Sequence, residues 1–219
     1  MPTILRSSRF DNLSNEEIET HLRINKYNNF VLTDAVRPAY YLDVVPKTGF
    51  RREKWEKDNR FAFTLEISVS AESLFEVFLE LVKATCNGGI VDVYIEQDER
   101  RIMKESKEFC REDIDFPVLA SALYEFREFI CNDGFLSIAV CNFKQEREIR
   151  LDDHKILIFY TRSFEEIEEI VKILKKHNIS EVPGLKTILD AEHMHLSCPH
   201  FAEKLDELKI VLGAEEYYS

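Results

Sequence analysis

The stretch FAFTLEISVSAESLFEVFLELVKATCNGGIVDVYI, residues 61–95, decides the fold. Phe61, Phe63, Leu65, Ile67 and Val69 alternate with Ala62, Thr64, Glu66 and Ser68. A period of two with five apolar members predicts a strand with one buried face. Ser70 follows in the position of a helix N-cap, with Val69 and Leu74 placed as a hydrophobic staple. From Ala71 to Cys86, residues Leu74, Phe75, Val77, Phe78, Leu79, Leu81 and Val82 cover most of the circumference, which predicts a well-buried helix. Asn87-Gly88-Gly89 ends it, because these residue types reach the left-handed conformation that helix C-termini favour. Val91, Val93 and Ile95 then resume the two-residue period.

A second unit follows the same plan. Lys155 to Tyr160 contains Ile156-Leu157-Ile158-Phe159-Tyr160, apolar on both faces, as a central strand would be. Ser163 opens a helix, Glu166 stands where a capping box needs it, and Phe164, Ile167, Ile170, Val171 and Leu174 form the apolar stripe. A strand near Ile188 to Leu196 is expected after it. With Ser70 aligned on Ser163, Leu74, Val77, Phe78 and Leu81 meet Ile167, Ile170, Val171 and Leu174. The fold class expected is α+β, with a mixed β-sheet and two β-α-β-like units; an internal pseudo-repeat is one reading of the matching registers, and two ordinary β-α-β units in one sheet are the competing one.

Outward from these units, Ser14 and Glu17 form a second capping-box pattern, flanked by Leu13 and Ile18, and start a short helix. Residues 1–35 read as a helical appendage, 36–112 as a first α/β half and 113–219 as a second; a single domain is the alternative. Tyr40 to Val45 reads as a strand, and Lys47 to Lys57 as a polar loop or short helix. The charged segment from Glu96 to Asp113 reads as a weak helix. Asp115, with Pro117 just inside, caps another helix. Phe135–Cys141 and Glu148–Leu151 read as strands, and Ser197 as the cap of a final helix.

The chain has 219 residues, with 29 Lys+Arg against 41 Asp+Glu and a net charge of −12. Hydrophobic residues make up 45%, too many for a disordered chain. Residues 1–60 carry a net +2 and the remainder −14. An acidic body repels phosphate backbones, so no nucleic acid is expected as a partner. It suits solubility, and it also suits a basic protein partner. The run Lys47, Arg51, Arg52, Lys54, Lys57 and Arg60 is interrupted by Glu53, Glu56 and Asp58; it reads as a solvated loop whose Trp55 packs on the core. The start of the sequence has no apolar run of signal-peptide length, and no stretch reaches a membrane span. The five scattered cysteines form no CxxC pair. A cytoplasmic protein with reduced thiols and no membrane partner is expected. A homodimer stays open.

Two constellations could carry chemistry. In His193-Met194-His195-Leu196-Ser197-Cys198-Pro199-His200, the residues His193, His195, Cys198 and His200 offer four nitrogen or sulfur donors. On a strand, His193 and His195 share a face, so zinc or another transition metal could be held here with a carboxylate. The competing reading is two solvent-facing strand histidines, a buried cysteine and a histidine in the first turn of a helix. Asp152-Asp153-His154, at the entry to the central strand, could supply a general base or further ligands; a polar turn is the competing reading. Dinucleotide and phosphate loops, the nucleophile elbow and HExxH are all missing from the sequence, which removes the common nucleotide enzymes and hydrolases. The sequence therefore favours a non-catalytic acidic protein-binding module with no cofactor. A metal-binding protein or metal-dependent enzyme built on residues 193–200 is the alternative.

Overall fold

The computed structural model describes residues 13–38, 44–57, 60–98 and 106–217. In chain order the elements are α1 (Asn15–Leu22), β1 (Lys26–Tyr27), β2 (Phe30–Val31), β3 (Val36–Pro38), β4 (Gly49–Lys57), β5 (Arg60–Ser68) and α2 (Ala71–Cys86). Then come β6 (Ile90–Asp98), β7 (Ser106–Asp115), α3 (Phe116–Glu125), α4 (Arg127–Asn132), β8 (Leu136–Asn142), β9 (Arg147–Leu151) and β10 (Leu157–Thr161). The chain continues through α5 (Phe164–Lys176), β11 (His193–His195), α6 (Lys204–Leu212) and β12 (Glu215–Glu216).

The fold is α+β. Eight strands form one sheet in the order β12-β7-β6-β8-β9-β10-β5-β4, and every ladder in it is antiparallel. The parallel component is one bridge, Phe50 to Glu181, at the β4 edge. Alternation across the ladders makes β5 and β6 run the same way, four positions apart with three strands between, and α2 connects them. Likewise β10 runs the same way as the bridging segment at Glu181, with β5 and β4 between them and α5 connecting them. Both strand–helix–strand units are therefore present, but each steps over intervening strands. The likeness between them goes no further: β6 is a nine-residue interior strand, whereas α5 leads only to an edge bridge.

Helices cover one face of the sheet. Helix α2 lies over β8 and β9, α5 over β5 and β10, and α3 against β7. Leu65, Ile67, Val93, Ile95, Val140, Ile149, Leu157 and Phe159 from the strands meet Leu74, Phe78, Leu81, Ile170 and Leu174 from the helices, all buried. Burying a side chain of this size stabilises by about 1.5–3 kcal/mol, so this layer is the main apolar contribution. On the opposite face Tyr94, Glu96, Glu148, Arg150 and Tyr160 keep contact with solvent. Small Ala139 lies between Tyr94 and Arg150 in the register, and Arg150 reaches Glu148 at 3.0 Å and Glu96 at 3.2 Å.

Several expectations change. Residues 49–57 form an edge strand hairpinned to β5, not a loop or helix. No apolar period marks it, because charged side chains on both of its faces are held by ion pairs: Arg51 to Glu66 at 2.6 Å, and Arg52 to Glu168 at 2.5 Å. The charged segment before Asp115 is likewise a strand, β7, paired with β6. Ile188–Leu196 is not one strand: a single 3-10 turn, Ile188–Asp190, precedes the three-residue β11, which pairs with β3 in a separate small sheet. Ser197 caps no helix; its hydroxyl donates to Asp133 at 2.5 Å. Pro199–Phe201 is a 3-10 turn, and α6 starts at Lys204. Ser163 caps α5 through the Glu166 N–H, but the Glu166 carboxylate accepts from Thr161 instead of closing a box. Ser14 and Glu17 do close theirs. The strand expected from Tyr40 lies, over residues 40–43, outside the described residues, as does the side chain of Trp55. Among the described residues no helix is long and apolar enough to cross a membrane.

The small sheet is fastened to the large one by backbone. Gly134, in the turn between α4 and β8, donates its N–H to the Leu196 carbonyl at 2.8 Å. Leu196 in turn donates to Ala35 at 2.7 Å. A Cβ on Gly134 would stand 2.1 Å from the Ala35 carbonyl oxygen and 2.8 Å from that of Leu196. Both obstacles are backbone and cannot swing away. Gly134→Ala is expected to cost at least about 2 kcal/mol, read by chemical denaturation. An unchanged midpoint would show that the two sheets do not need this close approach.

Candidate functional site

The Asp152-Asp153-His154 turn and strand β11 meet at the junction of the two sheets. The turn is tight: the Asp152 carboxylate accepts from the Ile156 N–H at 2.7 Å, and the Lys155 N–H donates to the Asp152 carbonyl at 3.0 Å. Lys155 adopts φ +64°, the left-handed conformation such a turn requires. Its buried ammonium donates to the Leu136 carbonyl at 2.7 Å, which pins the turn to β8. Burial lowers the Lys155 pKa, opposed by the nearby Asp152 and Asp133 charges.

Strand β11 presents its histidines as alternation demands. Met194 is buried against Ile18 of α1, so His193 and His195 both face the other way. Their rings lie 5.1 Å apart, centroid to centroid, and His154 stands 4.6 Å from each. One ring nitrogen from each of the three histidines lies within 4.8 Å of the others. The three residues are partly exposed, so the cluster opens to solvent.

Each ring is held on its Nδ1 side. The His193 Nδ1–H donates to the Ala191 carbonyl at 2.7 Å, and the His195 Nδ1–H donates to the Gly134 carbonyl. His154 Nδ1 lies 2.7 Å from Asp153 and 3.4 Å from Asp152, close enough for ion pairs but off hydrogen-bond alignment. Asp153 also reaches the His195 Nδ1 at 3.4 Å, so one carboxylate spans two rings. A donor at Nδ1 fixes the tautomer that leaves the lone pair on Nε2. Held in this way, His193 and His195 each have Nε2 free to act as a ligand.

The charges are coupled. Burial works to lower the His154 pKa, but Asp152 and Asp153 outweigh it and hold the ring at about 9. His193 is lowered, by burial first and then by the charges of His154 and His195. Burial works to raise Asp153, yet the close His154 ring, with the charge of His195, brings it below the usual carboxylate range. The cluster thus keeps its positive charge on the ring next to the carboxylates.

The sequence-predicted residues divide. His193 and His195 come together as expected, and His154 joins them from the second constellation, with Asp152 and Asp153 behind it. Cys198 and His200 lie outside this cluster among the described residues. The Cys198 thiol is exposed and free, and His200 faces Glu128 at 3.5 Å and stacks on Phe201. Sequence reasoning missed Asp133, Gly134 and Lys155. Asp133-Gly134 reads as a helix stop, and nothing local in the sequence reveals that its carbonyl holds a histidine. The buried Asp133 accepts from the Phe135 N–H at 2.9 Å as well as from Ser197, and so braces the loop from which Gly134 acts.

The geometry makes a spectroscopic prediction. In nitrogen–proton correlation spectra of the metal-free protein, with their rings neutral, His193 and His195 should both appear as Nδ1–H tautomers. The Nε2–H form for either ring would contradict the carbonyl anchoring described above.

No protein-family model, no curated protein and no solved structure matches the chain.

Proposed function

We propose that this protein binds one first-row transition metal ion, with zinc the best fit, through His154, His193 and His195. The observation that carries this reading is the convergence of three imidazoles from two separate segments, each braced by an oxygen on its Nδ1 side. Carbonyl or carboxylate oxygens behind ligating histidines orient the rings and raise their basicity. An all-imidazole donor set suits zinc, copper, nickel or cobalt rather than magnesium or calcium. Tetrahedral zinc at about 2.0–2.1 Å from nitrogen sets ligand atoms about 3.4 Å apart. The 4.8 Å ceiling is wider, so loading involves modest ring rotation toward the ion.

Three protein ligands leave a coordination position for water or substrate, the arrangement of catalytic rather than structural zinc. A metal bound here would act as a Lewis acid or lower the pKa of that water. Asp153, spanning His154 and His195, serves as a positioning residue for both rings.

The test uses tag-free protein stripped with a chelator and titrated with zinc by calorimetry. One equivalent is expected per chain. Alanine at His154, His193 or His195 should abolish tight binding. Asp153→Asn should weaken it about 10–100-fold, and a Cys198→Ala/His200→Ala variant should match wild type. A triple-histidine variant that binds as tightly as wild type would overturn the assignment.

A second reading rests on a different observation, the net charge of −14 over residues 61–219 together with a sheet face not covered by the described helices. It is an acidic module that captures a basic protein partner in the cytoplasm, where thiols stay reduced. Such capture should fall steeply as salt is raised past about 0.15 M, where the screening length is about 8 Å. A pull-down insensitive to salt would remove this electrostatic reading.

A further inference from the structure

A cavity of about 610 Å³ opens between the β1–β2 hairpin, residues 44–48 and the segment around Gly184, Leu185 and Lys186. Its volume lies within the usual range of small-molecule sites. Asn28 makes the hairpin turn with φ +54°, which carries the chain back from Tyr27 to Phe30. Phe30, Val44 and Pro46 supply apolar wall, and Lys47 and Lys186 stand at the exposed side.

Three features set this cavity apart. None of its eleven described lining residues is acidic, although 41 of 219 residues in the chain are. Lys47 and Lys186 make no ion pair with any described residue, in a protein where most of the arginines in the described region are matched by carboxylates. The Tyr27 hydroxyl is buried without a hydrogen-bond partner. A buried unpaired donor is costly to leave unmade. Burial raises the Tyr27 pKa, with the Arg37 charge opposing, so the phenol stays protonated and able to donate.

We infer that this cavity is a binding site for a small organic anion, with a phosphate or carboxylate head between Lys47 and Lys186 and a short apolar body against Phe30, Val44 and Pro46. Lysine ammonium groups recognise such heads as point charges. Tyr27 lines the cavity, and its unpaired hydroxyl, shielded from solvent as it stands, would donate to the head group once the ring turns toward it. The site is separate from the histidine cluster and shares none of its residues, so it stands or falls independently of metal binding.

The experiment uses the full chain, stripped with a chelator so that no anion can ligate a metal. Phenyl phosphate, benzoate and phenol are titrated separately, with binding followed by ligand-observed NMR and calorimetry. Phenyl phosphate or benzoate should bind at least about tenfold more tightly than phenol, and the tighter of the two identifies the head group. A Lys47→Ala/Lys186→Ala variant should lose at least about tenfold in that affinity, while a Lys172→Ala/Lys175→Ala variant, on the surface of α5, should not. Tyr27→Phe should weaken the anion while leaving the melting temperature at or above wild type, because it removes an unpaired buried hydroxyl. Equal binding of phenol and the anions would overturn the proposal. So would full affinity in the Lys47/Lys186 variant, or no anion binding below about 10 mM.

Discussion

Leu196 gives its N–H to Ala35 and takes the N–H of Gly134 on its carbonyl, at 2.7 and 2.8 Å. These two hydrogen bonds join three distant segments at one residue: the approach to β3, the end of β11 and the turn into β8. The small sheet has only three residue pairs of its own, too few to be stable alone. Its position depends on this junction and on Met194, which is buried against Ile18. The histidines of β11 therefore take their place from backbone contacts made on the far side of the strand. Gly134 contributes twice, since its N–H fixes the strand and its carbonyl fixes the His195 ring.

Electrostatics explains how three imidazoles can crowd together. Three charged rings with centroids about 5 Å apart would repel strongly in a half-buried setting. The structure avoids this by unequal treatment. His154 sits against both carboxylates and keeps its proton, whereas His193 is pushed toward the neutral form by burial and by its charged neighbours. Asp152 is held by the Ile156 N–H and so cannot turn away from His154. A dication bound as proposed would displace the imidazolium proton and meet the same two carboxylates behind the ring.

Much of this was legible in the sequence, and the parts that were not share a cause. The β5–α2–β6 unit can be read from period alone, because strand and helix each bury one continuous face. Strands β4 and β7 could not be read in this way. Their side chains are largely charged, and what makes them strands is pairing with β5 and β6 plus ion pairs such as Arg51 to Glu66. Periodicity detects burial, and these strands bury little. The facing of His193 and His195 followed from alternation. Their meeting with His154 did not, since it depends on how a turn of one sheet approaches a strand of another. The sequence placed Cys198 and His200 with them on proximity along the chain, but the chain leaves β11 at Ser197 for Asp133 and carries both residues away.

The charge division along the chain has a counterpart in space. Residues 61–219 supply both the acidic excess and all three clustered histidines, so a metal cation bound there, as proposed, would be favoured by the net charge as well as by its ligands. The anion cavity is built mainly from the slightly basic first 60 residues, with Gly184 and Lys186 added from the loop after α5. Lys47 and Lys186, without an ion pair among the described residues, stand on a described wall that holds no acid, the opposite of the chain's overall balance. On the two readings proposed, selectivity for charge at both places would come from the same feature, an uneven distribution of acids along the chain: the histidine cluster would use the excess, and the cavity the gap in it.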